Sequence, residues 1–329
     1  MLNTVIDYVI FEHFTRHQPK PIPDGSTEDN EYWNSFWKYL KEQSNILITG
    51  FNNQENIFLN QLITGRKGTK IAVKDKNFKK PYKGKFPNDT SPYSVFFLDE
   101  NSEKAQNDYK KKNGFLFGFL NDYSKVFKDL SLFNKDNVLP VRKEAEKGFT
   151  SWERLNEYIL PFTDLLIADN YMFDKSLWDF NLFKIIEQFA NKTPVRFNLL
   201  LLTFADNTLV YKDCYEEIKT KLQNLNINCN LSIVYATQTL KEHDRGIFTN
   251  YLRIKSGDSF IYFDKNGSLI IKGTDIDFYS LAERDAFNAS EAALKRFKHI
   301  INELKTHREK EKRLIGNMKL RLIDQIDSK

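Results

Sequence analysis

The second half of the chain alternates apolar runs with amphipathic stretches of helical length, and this alternation constrains the fold more than any other feature. The apolar runs DLLIAD, FNLLLLTF and NLSIVYA lack the alternation of polar and apolar residues found in half-exposed strands, which indicates strands buried on both faces. Stretches such as YEEIKTKLQNL separate them, and connections of that length favour parallel strands joined by crossover helices. The sequence therefore predicts an α/β fold whose sheet is covered by helices.

The first part of the chain carries a similar but less regular pattern. Buried strands are predicted at NILITG, TKIAV, YSVFFL and GFLFGFL, with a helix over NQENIFLNQLITG between the first two. Polar residues around Pro140 interrupt the periodicity, and a length of 329 residues favours more than one domain. We expect an N-terminal α/β domain of unknown role over 1–145, a second α/β domain over 146–275 and a basic helical tail over 276–329.

The tail combines an apolar stripe with many charges. The stripe recurs at helical spacing, is interrupted by THREKEKR and then resumes; its members are Leu294, Phe297, Ile301, Leu304, Leu314, Met318, Leu322 and Ile326. Such a helix can pair with a helix of a partner, including a second copy of this chain, or lie on its own domain. The sequence leaves both arrangements open.

The segment HDRGIFTNYLRIKSG, residues 243–257, brings a histidine, an acid and several cations into one hairpin-like stretch. A neutral imidazole can attack phosphorus, and neighbouring cations can hold the non-bridging oxygens of a phosphodiester. The guanidinium of Arg245 suits that second task because its planar fork matches phosphate. The alternative is a charged surface hairpin in which Asp244 pairs with Arg245 and His243 fills space.

The spacing of this segment resembles the motif of the phospholipase D superfamily. That motif runs His, one residue, Lys, four residues, Asp, six residues and Gly; His243, Arg245, Asn250 and Gly257 fall in its register, with Arg in place of Lys and Asn in place of Asp. Two copies of the motif are normally required, one histidine acting as nucleophile and the other as general acid. Because this chain has one copy, the resemblance implies that an active form pairs His243 from two chains.

A second resemblance covers roughly residues 150–270. The HDR-initiated hairpin with Ile254 and Lys255, and the upstream stretch LLIADNYMFDKSLWDF, are similar to the phospholipase D-like domain at the C-terminus of MIT-domain proteins. The resemblance implies that fold and a basic, phosphate-sized pocket around His243, Arg245 and Lys255. The front of the chain does not resemble the MIT helical hairpin, so the trafficking role of that family is not carried over.

These observations predict a protein that binds, and could cleave, a phosphodiester of nucleic acid. In that hypothesis His243 is the nucleophile, Asp169 or Asp244 orients its imidazole, and the phosphate is held by Arg245, Arg253 and Lys255. A bacterial antiviral effector of nuclease type would suit the architecture. The rival hypothesis is a non-catalytic interaction protein that uses the same basic pocket and the tail helix to dock a partner or an anionic membrane.

A second contact surface for nucleic acid is predicted at KDKNFKKPYKGKF. Lysines can neutralise phosphates while aromatic rings stack on unpaired bases, although a solvated loop has a similar composition. The residues expected to bind are Lys76, Phe78, Lys79, Lys80, Tyr82, Lys83 and Lys85.

Other function classes find little support in the sequence. Cys214 and Cys229 form neither a disulfide framework nor a CxxC metal site, and no zinc quartet is present, so we expect no metal and no cofactor. The excess of 49 Lys and Arg over 44 Asp and Glu is too small to identify a nucleic-acid binder by itself. No uninterrupted apolar run approaches the ~20 residues that cross a bilayer. We expect a cytoplasmic protein without a transmembrane segment.

Overall fold

The computed structural model describes most of the chain, namely residues 1–20, 26–53, 55–82, 86, 89–142, 148–204, 211–240, 244–270 and 273–326. At 211–213 and 238 it describes the backbone alone. The chain divides into two compact units, each treated by itself below. Unit 1 consists of Met1–Lys135 and Ser280–Asn288, and unit 2 of Asp136–Tyr279 and Ala289–Lys329.

Within the described residues, unit 1 is built on a parallel sheet of five strands connected by helices. The strands are β1 (Leu2–Asp7), β2 (Ser44–Phe51), β3 (Ile71–Asp75), β4 (Ser94–Leu98) and β5 (Leu116–Phe119). The helices are α1 (Tyr8–Arg16), α2 (Glu28–Lys38) with a π-helical turn at Tyr39–Gln43, α3 (Ile57–Thr64), α4 (Glu103–Lys112) and α5 (Tyr123–Leu130). The strand order is β3-β2-β1-β4-β5.

This strand order creates a switch point beside β1. The strands β2 and β3 lie on one side of β1, and β4 and β5 lie on the other. The carboxyl ends of β1 and β4 therefore adjoin where the order reverses, which in open α/β sheets is the usual place for a ligand. Asp7 ends β1, and Asp99 and Glu100 follow β4 at this edge.

Aromatic side chains bury both faces of the unit 1 sheet. The neighbours Phe96 and Phe97 in β4 point to opposite faces because side chains alternate along a strand. Phe97 lies 5.4 Å from Phe36 of α2, and Phe96 stacks on Phe117 of β5 at 5.3 Å, both distances between ring centroids. The predicted buried strand at YSVFFL is thus confirmed.

Unit 2 contains a mixed sheet of eight strands among the described residues. The strands are β6 (Val138–Pro140), β7 (Asp164–Ala168), β8 (Phe197–Phe204), β9 (Cys229–Ala236), β10 (Gly246–Phe248), β11 (Leu252–Ser256), β12 (Asp275–Ser280) and β13 (Leu314–Gly316). The helices are α6 (Leu182–Ala190), α7 (Tyr211–Asn224), α8 (Arg284–Thr306), α9 (Lys310–Arg313) and α10 (Arg321–Asp324); the start of α8, up to Asn288, belongs to unit 1. Short 3₁₀ turns occur at Trp152–Glu157, Lys175–Leu177 and Gln238–Leu240.

The order of the unit 2 sheet is β13-β9-β8-β7-β10-β11-β12-β6. The strands β7, β8 and β9 are parallel and carry the three apolar runs, as the sequence predicts. The hairpin β10–β11 adds antiparallel to β7, and β13 adds antiparallel to β9. The α/β fold class is confirmed in both units.

Two strand predictions in unit 1 need correction. TKIAV forms β3, but this strand is largely exposed rather than buried because it is an edge strand. The central strand β1 lies in a stretch where the sequence analysis above places no strand. Its polar residues Asn3, Thr4 and Asp7 hide the strand pattern, and the last two are buried in the fold.

The tail differs from its prediction. Helix α8 ends at Thr306, and Leu314–Gly316 forms a strand where the apolar stripe predicts more helix. The reason is that β13 pairs with the open edge of β9, which outweighs the local helical pattern. The stripe on α8 is buried within the chain, and Phe297 lies 5.5 Å from Phe248 of β10 between ring centroids. The second half of α8 therefore packs on its own unit.

The predicted boundaries also shift. The structure divides the chain at Lys135, ahead of the boundary expected at 145, because Val138–Pro140 pairs with β12 in unit 2. Residues after Asn288 join unit 2 rather than forming a separate tail. None of the described helices has the length and apolar character that crossing a bilayer requires.

Candidate functional site

The register of the β10–β11 hairpin decides which predicted site residues share a face. Gly246 pairs with both Ala168 and Lys255, and Phe248 pairs with Arg253. Because side chains alternate along a strand, Asp244 lies on the face of Arg253 and Lys255, whereas Arg245 lies on the opposite face. The contacts of Asp244 and Arg245 agree with this division.

On the first face, three cations surround the carboxylate of Asp244. Arg253 and Arg296 each donate from Nη2 to the same oxygen, Oδ2, at 2.7 Å. The Nζ of Lys255 lies 3.9 Å from Oδ1. We call Asp244, Arg253, Lys255 and Arg296 the Asp244 cluster.

The members of the Asp244 cluster differ in their access to solvent. The side chain of Arg253 is buried against the ring of Phe248, with 5.3 Å from its guanidinium carbon to the ring centroid. The side chains of Lys255 and Arg296 remain 39% and 48% exposed, against 17% for Asp244. The cluster therefore presents two accessible cations, while its carboxylate is largely covered.

One further acid lies close to the Asp244 cluster. Asp277 of β12 lies near Tyr279, and the pKa of that phenol is raised by partial burial and then by the charge of Asp277. Arg253 is near enough to oppose the shift. Among the residues that the structure describes, the cations Arg253, Lys255 and Arg296 therefore lie near two carboxylates, those of Asp244 and Asp277.

On the opposite face, Arg245 is held by the segment that follows β11. Its guanidinium lies over the ring of Tyr171, with its carbon 5.5 Å from the centroid. Its Nη1 donates to the carbonyl of Gly257 at 3.4 Å and lies 3.6 Å from a carboxylate oxygen of Asp258. The predicted phosphate ligands Arg245 and Lys255 thus extend from opposite faces of the sheet.

Asp169 follows β7 and is buried beside Arg245. Its carboxylate accepts hydrogen bonds from the Tyr171 amide at 2.8 Å, the Ser259 hydroxyl at 2.7 Å and the Phe260 amide at 2.6 Å. Burial raises the pKa of Asp169, while these hydrogen bonds and the charge of Arg245 act in the other direction. Through these hydrogen bonds the Asp169 carboxylate holds the segment after β11 against the end of β7.

His243 and Asn250 are two further residues of the predicted motif. His243 lies outside the described residues. Asn250 lies in the turn of the hairpin, at the end remote from Asp244, and its Oδ1 accepts from the Thr163 and Asp164 amides at 2.8 Å and 3.3 Å. Asn250 therefore holds the hairpin turn to the start of β7 and is not brought together with Arg245.

The predicted nucleic-acid loop is only partly available for binding. Tyr82 is 4% exposed and belongs to an aromatic core cluster of unit 1, and Lys80 forms an ion pair with the buried carboxylate of Asp7. Both assignments are corrected, because a ring used in the core cannot stack on a base. Lys76 and Lys79 are exposed, and Phe78 is half-buried. Lys83 and Lys85 lie outside the described residues.

Arg296 is the member of the Asp244 cluster that the sequence prediction missed. It lies more than fifty residues from Asp244 on a helix rich in charge, so no local spacing connects the two. The one available signal is its position beside Phe297, whose apolar stripe predicts the face that α8 buries.

Comparison with known proteins adds no identification. The sequence matches no protein-family model, and a search of curated proteins finds no match. Within the described residues, no group of three or more His, Cys, Asp or Glu side chains could hold a metal ion.

Proposed function

We propose that unit 2 binds a phosphodiester through the Asp244 cluster, with a nucleic-acid strand as the preferred ligand. The observation that carries the proposal is the convergence of two guanidinium groups on one carboxylate oxygen, with Lys255 beside them. A carboxylate held in this way shows that the site is arranged to surround an anionic oxygen, and guanidinium groups also bind phosphate in bidentate geometry.

The accessible cations of the Asp244 cluster favour an external anion as the ligand. Asp244 neutralises only part of the charge of its three cationic neighbours, and Lys255 and Arg296 remain accessible. A phosphodiester backbone would gain from both cations and would release its own counterions, which gives salt-dependent affinity. The likeness of the hairpin to phospholipase D-like domains supports the same ligand class.

Cleavage is the stronger form of this proposal. His243 would form a bond to phosphorus while the bond from phosphorus to the leaving oxygen breaks, and His243 of a second chain would donate the proton. Water would then hydrolyse the phosphohistidine. Lys255, rather than Arg245, shares the face of the Asp244 cluster and is the cation we assign to the phosphate.

A non-catalytic binding module is the second candidate, and one observation favours it. Asp244 already occupies the space between the cations, and Asp169 is hydrogen-bonded by the segment after β11. Neither carboxylate stands free to orient an imidazole in this arrangement. The two candidates share the ligand and differ only in chemistry.

Binding can be tested with a fluorescein-labelled single-stranded oligonucleotide and full-length protein. The double variant Lys255→Ala with Arg296→Ala should lower affinity at least about tenfold and reduce the slope of log affinity against log salt by roughly two. The matched control is Lys184→Ala with Lys295→Ala, which also removes two exposed positive charges from unit 2, each paired with a glutamate on its own helix. Equal losses in both variants would refute a specific site.

The same variants can distinguish nucleic acid from an anionic membrane as the ligand. Binding to phosphatidylserine vesicles but not to the oligonucleotide would replace the preferred ligand. Nuclease activity that is lost in His243→Ala, with unfolding unchanged, would establish catalysis. Because the single motif requires pairing, light scattering should then show a dimer, and an active strict monomer would exclude the two-histidine mechanism.

A further inference from the structure

An open cleft of about 570 Å³ lies beside α4 in unit 1. Its volume falls in the range of small-molecule sites, roughly 300–1,000 Å³. Glu100 from the end of β4 and Tyr109 from α4 line it, together with Phe86. The cleft therefore adjoins the carboxyl edge of a parallel sheet near its switch point, where ligands of such sheets bind.

Aromatic rings form two walls of this cleft. The rings of Phe86 and Tyr109 lie 6.3 Å apart between centroids and nearly perpendicular, at 80°. Each ring also packs against a buried ring of the sheet, Phe86 against Phe96 at 4.8 Å and Tyr109 against Phe117 at 5.4 Å between centroids. The two rings form a fixed corner, in which a planar ligand can stack on one ring and meet the edge or face of the other.

The polar groups of the cleft include one uncompensated acid. Asp108 and Lys112 neutralise each other across 2.9 Å. The Glu100 carboxylate accepts a hydrogen bond from the Ser102 amide at 2.9 Å, the Glu100 carbonyl accepts another from Gln106, and the carboxylate forms no ion pair with any residue that the structure describes. The carboxylate of Glu100 therefore keeps acceptor capacity beside the aromatic corner.

The surroundings of Tyr109 connect the cleft to the switch point. Burial raises the pKa of Tyr109, and the charges of Glu100 and Asp7 raise it further, so both carboxylates lie near this ring. Asp7 is occupied: it accepts from the Thr49 hydroxyl, from Lys80 and from the Asp99 amide at 2.8 Å. Asp7 thus fixes the edge of the sheet, and Glu100 is left to meet a ligand.

We propose that this cleft binds a nucleobase that carries an exocyclic amino group. The base stacks in the corner formed by Phe86 and Tyr109, and its amino group donates to the carboxylate of Glu100. A planar heterocycle is favoured over an aliphatic amine because a flat ring can stack on the aromatic rings of the cleft. An anionic ligand is disfavoured because Lys112 is already paired with Asp108.

The amino group can be tested with two ligand pairs that differ by that group alone. Adenosine is compared with purine riboside, and guanosine with inosine, by calorimetry on the full-length protein. In at least one pair, the amino-bearing member should bind about tenfold more tightly, since a hydrogen bond to a charged acceptor is of that strength. Glu100→Ala should abolish the preference. Equal binding within both pairs, or no binding of any of the four, would overturn the proposal.

Controls separate the site from general destabilisation. Glu103→Ala removes an exposed acid from the first turn of α4 and should leave the preference intact. Tyr109→Ala should weaken the preferred nucleoside about tenfold through lost stacking, while Tyr109→Phe should retain it. If Tyr109→Ala fails to fold, Glu100→Ala and Tyr109→Phe still decide. A preference that survives Glu100→Ala would refute the assignment of that carboxylate.

The source of the base follows from a further comparison. If a single-stranded oligonucleotide of the preferred base binds more tightly than its nucleoside, and Tyr109→Ala weakens both, the base belongs to a strand. Equal affinities assign the cleft to a free nucleoside or nucleotide. The double variant Lys255→Ala with Arg296→Ala should leave nucleoside binding unchanged, because this inference does not rest on the Asp244 cluster.

Discussion

The carboxyl edge of the unit 1 sheet and the hairpin beside β7 in unit 2 carry opposite charges. The first presents carboxylates, with Asp7 buried and Glu100 facing the cleft. The second presents cations on both faces of β10 and β11, grouped around Asp244 and beside Asp169. Two units of the same α/β fold class can therefore offer sites for different classes of ligand. The charge of each site is set by the residues at the strand ends and not by the fold.

A comparison of Asp7 with Asp244 shows what these carboxylates do. Both accept hydrogen bonds from cations, but Asp7 also accepts from a backbone amide and a buried hydroxyl and has a single lysine partner. Among the described residues, Asp244 faces three cations, of which Lys255 and Arg296 remain accessible. Asp7 is therefore a structural acceptor, whereas Asp244 competes with any anion that approaches its neighbours.

The largest expected effect is on stability, from Asp7→Ala. Removing this carboxylate leaves the Thr49 hydroxyl and the Asp99 amide without their acceptor and Lys80 without its partner, which should lower the free energy of unfolding by about 3 kcal/mol. Urea denaturation of the full-length protein measures the change. Glu103→Ala, an exposed acid of the same unit, should change it by less than about 0.5 kcal/mol.

The next largest effect is on binding, where we expect Asp244→Asn to increase the affinity for a ligand. Loss of the competing charge should raise the affinity for a single-stranded oligonucleotide about fivefold, or roughly 1 kcal/mol. Fluorescence anisotropy with the labelled strand measures it. A fall in affinity would show that Asp244 holds its cations in place for the ligand. Asp244 would then be a structural acceptor like Asp7.

The smallest effect concerns Asp164, at the start of β7. Its buried carboxylate accepts from Asn198 at 3.0 Å and from the Arg321 amide at 2.9 Å, and burial raises its pKa above the ordinary value of 3.8. A carboxyl group whose pKa is raised by folding stabilises the protein most below the unfolded pKa, and that contribution is lost as pH rises through the folded pKa.

Asp164→Asn should therefore gain stability relative to the natural protein as pH rises from about 4 to 7. An amide can keep both accepted hydrogen bonds and can donate to the Thr163 hydroxyl, so the variant should remain folded. Urea denaturation across this range is the measurement. A difference between the two proteins that does not change with pH would contradict the proposed pKa shift.

Sequence patterns predicted the strands that are buried on both faces, because uniform apolarity identifies them without tertiary information. The runs at β4, β5, β7, β8 and β9 all belong to this class. The strand β1 escaped because the fold buries polar side chains there, where Thr4 and Asp7 bond to side chains that are distant in sequence. Leu314–Gly316 escaped because pairing with β9 outweighs its helical pattern.

The candidate site was predictable only in part. The charges and the motif resemblance of the stretch 243–257 identified Asp244, Arg253 and Lys255, and the alternation of side chains along a strand explains why these three share a face. The same alternation of side chains places Arg245 on the opposite face from these three residues, whereas the motif resemblance groups Arg245 with Lys255. Arg296 and the cleft beside Glu100 required the packed structure, since their partners come from distant elements.

The pairing of β13 with β9 has a consequence for synthesis on the ribosome. β9 leaves the exit tunnel well before residues 314–316 are translated, so the nascent sheet of unit 2 keeps an unpaired border during that interval. Such a border recruits strands from other chains. Neighbouring nascent chains on one message are thus exposed to mispairing along β9 until the last strand docks.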